Sequence, residues 1–174
     1  QLFNQIVYHQ PSNNLVHSKQ KKLKHFLDMI PSFPLDVSTA AYYLKITNIS
    51  FEKYSEYLEN FQKDLSKVQT NILKDASDYT KTRYGIVTLS FKKIFEANEA
   101  FGELLLLMGL LNSQKIPKDL LDAYQGGVVA DSFIYHLKKY SLITDDTQDQ
   151  SLPTFSIHRH TQKIGLEYIV NELK

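Results

Sequence analysis

The chain has 174 residues, 43% of them hydrophobic, with 20 Lys and Arg against 19 Asp and Glu and a formal net charge of +1. That length makes one ordinary domain or two small ones with a sizeable core, and the charge balance leaves no whole-chain field to draw nucleic acid or an anionic membrane. Cysteine is absent, which excludes disulfides, thiolate zinc ligands and a cysteine nucleophile and fits a reducing compartment, so a soluble, cytoplasmic protein is expected.

The chain opens on Gln1 instead of Met and shows no charged-then-apolar leader, so it is expected to begin inside a longer polypeptide. Residues 1–8 put Leu2, Phe3, Ile6 and Val7 on one helical face, and Pro11 with the polar turn Ser12-Asn13-Asn14 stops it. From Ser18 a second helix carries Leu23, Phe26, Leu27 and Ile30 on one face and lysines on the other, and Pro31 ends it. A third is predicted from about Leu35 to Ile46, where Ala40 and Ala41 permit close packing against a neighbour. Asn48 or Ser50 caps a fourth over 51–67, in which Phe51, Tyr54, Tyr57 and Phe61 recur with Leu58 and Leu65 at helical spacing. Residues 68–83 are polar and less periodic. The link between two subdomains is therefore placed at about 78–85, with a helical subdomain over 1–80 and a second subdomain over 81–174.

A helix over about 86–97 leads into a very apolar one over 100–111, expected to be buried nearly all round. Its apolar run, 104–111, is far below the roughly 20 residues that cross a bilayer. Pro117 suits the first turn of a short helix ending near Tyr124, and Gly126-Gly127 break the chain before another helix over 128–140. The period then changes. Residues 142–144 and 154–158 read as two strands joined by an acidic loop over 145–153, and 161–173 returns to helical spacing. The predicted fold class is mainly α, a helical bundle followed by a winged-helix domain with a small two-stranded wing.

Pro31-Ser32-Phe33-Pro34-Leu35 and the helix after it resemble the Gly-Leu-Pro-Leu motif of NB-ARC proteins, the STAND-class signal-transduction ATPases. That motif opens the third helix of the family's helical subdomain. Phe155-Ser156-Ile157-His158-Arg159 resembles the Met-His-Asp motif that ends a strand of its winged-helix subdomain. Residues 104–121 resemble the family's apolar helix, short loop, Ile-Pro and following helix. The likeness spans essentially the whole chain and is nearest to bacterial NB-ARC proteins that carry tetratricopeptide (TPR) repeats. It implies the regulatory part of a nucleotide-dependent signalling switch, closing over ADP or ATP that is held mainly by an upstream P-loop domain, with a repeat domain downstream. Pro34 inherits the contact with adenine. His158 inherits the approach to the phosphates, where an imidazole can donate a hydrogen bond. Ser32 stands where the family usually has Gly, and Arg159 where many members have Asp. A GxxxxGK[ST] phosphate loop does not occur in these residues, nor does an apolar strand ending in paired acids. The chain by itself is thus expected to be no enzyme and to bind nucleotide weakly, any ATPase activity belonging to the longer parent. Protein partners fit this reading, while specific DNA and membrane partners do not.

Plainer readings stand beside these. Pro34 also suits a simple helix start. His158 and His160 form an HxH that reads as two side chains on one side of a strand, which is half a zinc site or, more simply, histidine packed at a strand end; no metal ligand is assigned. Asp145, Thr147 and Asp149 resemble the start of a calcium loop but lack its glycine and bidentate glutamate. Ser90, Asp131 and His136 have the residue types of a hydrolytic triad without a nucleophile elbow. The aromatic run 51–61 reads as core before ligand platform. Among whole-protein alternatives, a DNA-binding winged helix would use 128–140 for recognition, but Val129, Phe133, Ile134 and Leu137 are core-like, basic residues come only at its end, and the wing is acidic. A passive protein-interaction module is the third class.

Overall fold

The computed structural model describes residues 2–8, 17–67, 78–146 and 153–172, and among them the chain is mainly helical with one small antiparallel sheet. Helix α1 (Leu2–Tyr8) is followed by α2 (His17–Met29), which stops short of Pro31. Helix α3 (Pro34–Thr47) begins on Pro34, where a missing N–H has no intrahelical acceptor to lose. It ends on Asn48, whose φ of 53° turns the chain left-handed while its amide donates to the Leu44 carbonyl. The Ser50 hydroxyl then accepts from the Lys53 amide at 3.2 Å and starts α4 (Phe51–Lys67).

Residues 78–85, expected to be the link, are instead the first half of a continuous helix, α5 (Asp78–Phe95). Thr82, Tyr84, Ile86 and Val87 are buried, so tertiary packing holds helical a segment whose local pattern is weak. The chain packs as two compact units, Gln1–Ile86 and Val87–Lys174, and the division falls within α5.

In the first unit α1 lies on α3 and α2 on α4. Its core is aromatic: Phe26 stacks on Phe51 at 5.2 Å between centroids, tilts against Tyr54 at 5.7 Å and meets Phe3 at 5.5 Å, while Tyr43 meets Tyr54 at 5.0 Å. Ala40 and Ala41 are fully buried, as close helix packing requires.

The second unit comprises the rest of α5, then α6 (Ala100–Gly109), β1 (Ile116–Pro117), α7 (Lys118–Gln125), α8 (Gly127–Lys139), β2 (Ile143–Asp145), β3 (Thr154–Ile157) and α9 (Arg159–Glu172). The sheet has three strands, not the two expected, in the order β1-β3-β2, with Ile116 opposite Phe155 and Ile143 opposite Ile157. Two residues show no period, which hid β1. Its proline is tolerated because β1 is an edge strand, and Pro117 serves as the N-cap of α7 instead of lying in its first turn. Gly126, with φ of +85°, makes the turn between α7 and α8. Helix α6 buries Phe101, Gly102, Leu104, Leu105 and Met108 but is not apolar-covered all round: Leu106 is 46% exposed and Leu110, just past its end, 81%. The side-chain amide of the buried Gln162 donates to the Met108 carbonyl at 2.7 Å and the Leu111 carbonyl at 3.1 Å, satisfying the open C-terminus of α6 from α9.

Candidate functional site

Pro34 lies in the first unit at the exposed start of α3, and Phe33 before it is the extended N-cap residue, with 54% of its surface open. Two residues later the helix carries Asp36, 1% exposed and flanked on the same face by the buried Thr39, Ala40 and Tyr43. A carboxylate at such a position needs a cation, and α5 provides one. Arg83 Nε donates to Asp36 Oδ1 at 2.8 Å and Oδ2 at 3.0 Å, and Nη2 donates to Oδ2 at 2.6 Å. The same guanidinium lies 5.2 Å from the centre of the Phe33 ring. The Phe33-Pro34 corner is thus held from two sides, by its own helix and by α5. Neither Asp36 nor Arg83 was singled out from sequence. A charged residue in the i, i+3, i+4, i+7 apolar stripe of α3 is the signal that marks it; its partner, 47 positions away, leaves none.

His158 lies in the second unit, directly after β3, and caps α9. Its carbonyl accepts from the Gln162 amide at 3.0 Å and its ring Nδ1 accepts from the His160 amide at 3.3 Å. With Nδ1 an acceptor, the neutral ring carries its proton on Nε2. His158, just before α9, and Arg159 and His160 in its first turn are all exposed, where the helix dipole favours an anion. The HxH is not a strand pair as expected: β3 ends at Ile157 and His160 belongs to α9, so the two rings stack at 5.6 Å and 22° across a strand-to-helix junction. Among the described residues no three His, Cys, Asp or Glu gather as metal ligands. The strand leading to His158 is anchored from the 113–115 loop. Ser156 Oγ accepts the Lys115 amide at 3.0 Å and donates to Asp146, and the Ile157 amide donates to the Ser113 carbonyl at 2.9 Å.

The remaining candidates have structural occupations. Asp131 pairs with Lys118 at 3.0 Å, which also reaches Asp122 at 2.6 Å; the bond to Asp122 is the main cause holding the Lys118 ammonium above its ordinary pKa. His136 Nδ1 donates to the Ser132 carbonyl of its own helix at 2.7 Å, and Ser90 is fully buried, so Asp131 and His136 are turned to other partners. Asp145 pairs with Lys138 at 2.7 Å, while Thr147 and Asp149 lie outside the described residues. Phe51, Tyr54 and Phe61 take part in aromatic packing, as a core role requires. On α8, Phe133, Ile134 and Leu137 are buried, whereas Val128 and Tyr135 are 86% and 61% exposed. No family model, curated protein or solved structure matches this chain.

Proposed function

We propose that this chain is the regulatory helical and winged-helix part of an NB-ARC-type nucleotide switch, in which Pro34 seats the adenine and His158 meets the phosphates of ADP held mainly by an upstream P-loop domain. The observation that carries the reading is the position of His158: an exposed imidazole at the junction of the last strand and α9, its Nδ1 accepting from the His160 amide, which leaves the ring proton on Nε2, with Arg159 and His160 exposed beside it. Those groups suit a phosphate. The exposed Phe33-Pro34 corner suits a flat base, because a rigid ring loses little side-chain entropy on contact. The order α6, β1, α7, α8, β2, β3 with sheet order β1-β3-β2 supports a winged helix. A switch of this kind is a bistable element biased by different contacts to ADP and ATP, with protein partners downstream and a cytoplasmic setting.

The winged helix is read as a protein module instead of a DNA reader. The outward residues of α8 include Val128, Asp131 and Tyr135, and its Lys138 is paired with Asp145. Sub-micromolar, salt-sensitive binding of mixed duplex DNA in fluorescence anisotropy would overturn this.

The nucleotide role is tested by joining the chain to its upstream P-loop domain and timing the release of a fluorescent ADP. His158→Ala is expected to speed release about tenfold, the equivalent of one lost charge-assisted hydrogen bond. His158→Asn, which keeps an N-cap acceptor, should also be fast if the imidazole binds phosphate. Wild-type release in both variants sinks the sensor role; acceleration in the alanine variant alone assigns His158 to capping.

A further inference from the structure

Helices α2 and α4 enclose a groove of about 280 Å³ that has no part in the nucleotide role. This falls just below the roughly 300–1,000 Å³ of pockets for whole ligands, so it accommodates one or two side chains and not a cofactor. Its floor is the half-buried ring of Phe51, stacked on the buried Phe26, with the adaptable thioether of Met29 beside it. The α4 wall carries Glu52, Glu56 and Glu59, one turn apart, against Lys22 and His25 on α2. Carboxylates therefore outnumber cations, and an anionic or neutral polar occupant is disfavoured. Two of these glutamates take part in exposed bridges, Glu52 with Lys22 at 2.8 Å and Glu56 with Lys53 at 3.0 Å, Glu52 being held also by Ser50 and by its own amide. Bridges of that kind are worth little and exchange readily for another cation. An aromatic floor adds a favourable contact for a positive head within about 6 Å of a ring and for the aliphatic stem that bears it.

We propose that the α2–α4 groove docks a basic peptide segment, one Arg or Lys laying its stem on Phe51 and Met29 and its head among Glu52, Glu56 and Glu59. Charge complementarity selects this occupant: an apolar floor alone would take any hydrophobic side chain, and the acidic wall alone any cation, but together they require a cation on an apolar stem. The experiment is an NMR titration of the ¹⁵N-labelled 174-residue chain with acetyl-Leu-Arg-amide and, in parallel, acetyl-Leu-Gln-amide. The arginine peptide is expected to shift amides within 22–29 and 51–59 at millimolar concentration, and the glutamine peptide to shift none of them. The double variant Glu56→Gln, Glu59→Gln changes only exposed side chains and should weaken binding severalfold without altering the rest of the spectrum. Absence of shifts, equal shifts from both peptides, or shifts confined to other residues would each overturn the proposal.

Discussion

A carboxylate with 1% of its surface exposed is tolerated in a helical core only with a cation on it, and Asp36 has Arg83 in that role through three short contacts. Taking away one partner leaves the other charge buried, so Asp36→Ala is expected to cost about 3 kcal/mol, the low end for a buried pair because Arg83 keeps 17% exposure. Replacing both, Asp36→Leu with Arg83→Met, should recover most of that loss in urea denaturation. A double variant as unstable as the single would show that packing, not charge, is what the site requires. Glu167 is the opposite case. One carboxylate oxygen is buried without a hydrogen-bond partner, and burial raises its pKa above the ordinary value, with nearby Lys163 opposing. For a carboxyl raised on folding, the penalty is in full force above the raised pKa and disappears as pH falls to the unfolded-state value near about 4.3. Glu167→Gln should therefore raise Tm at pH 7, and the gain should vanish by about pH 4. A gain that persists unchanged in acid would place its origin elsewhere than in the charge.

Helix α9 packs closely against α6 and Phe91, and glycine permits it. A Cβ on Gly165 would stand 2.8 Å from Leu105 Cδ2 and 2.9 Å from the Phe91 ring, both in the core of the second unit. Gly165→Ala is expected to cost about 1–3 kcal/mol as an overpacking change, although alanine is the better helix former. A stabilised variant in thermal unfolding would mean that α9 can shift away from α6 at no cost. Element by element, helix positions were legible because proline, capping residues and a 3.6-residue apolar stripe act within one turn. Pro31, Pro34 and Ser50 bracket α3 and α4 where the pattern put them. The failures came where stability is supplied from a distance. The first half of α5 is held by burial of Thr82 and Tyr84 and by the pair with Asp36. The two-residue β1 exists only because β3 lies beside it.

At the scale of the molecule, one helix serves two compact units, its residues up to Ile86 packing in one and those from Val87 in the other. Cooperative units of this kind open with their own free energies, which amide hydrogen exchange reads separately. Asp36→Ala should lower protection of buried amides through residue 86 while leaving α6 and α8 at their wild-type values. Equal losses in both units would show a single cooperative block.

Sequence by itself determined the mainly helical class and the change to strand period after Leu142, because each depends on contacts within a few positions, whereas Pro34 and His158 entered through a resemblance and stand as the proposal. Tertiary structure alone decided that His158 caps a helix instead of ending a strand beside His160, that the sheet has a third strand, and that Asp36 is clasped by Arg83. The third strand and the Asp36–Arg83 pair depend on groups brought together from distant parts of the chain, and loop closure over tens of residues leaves no mark in local pattern; the cap is local, but a strand end and a helix start share the same residues there, so the pattern alone does not place the boundary.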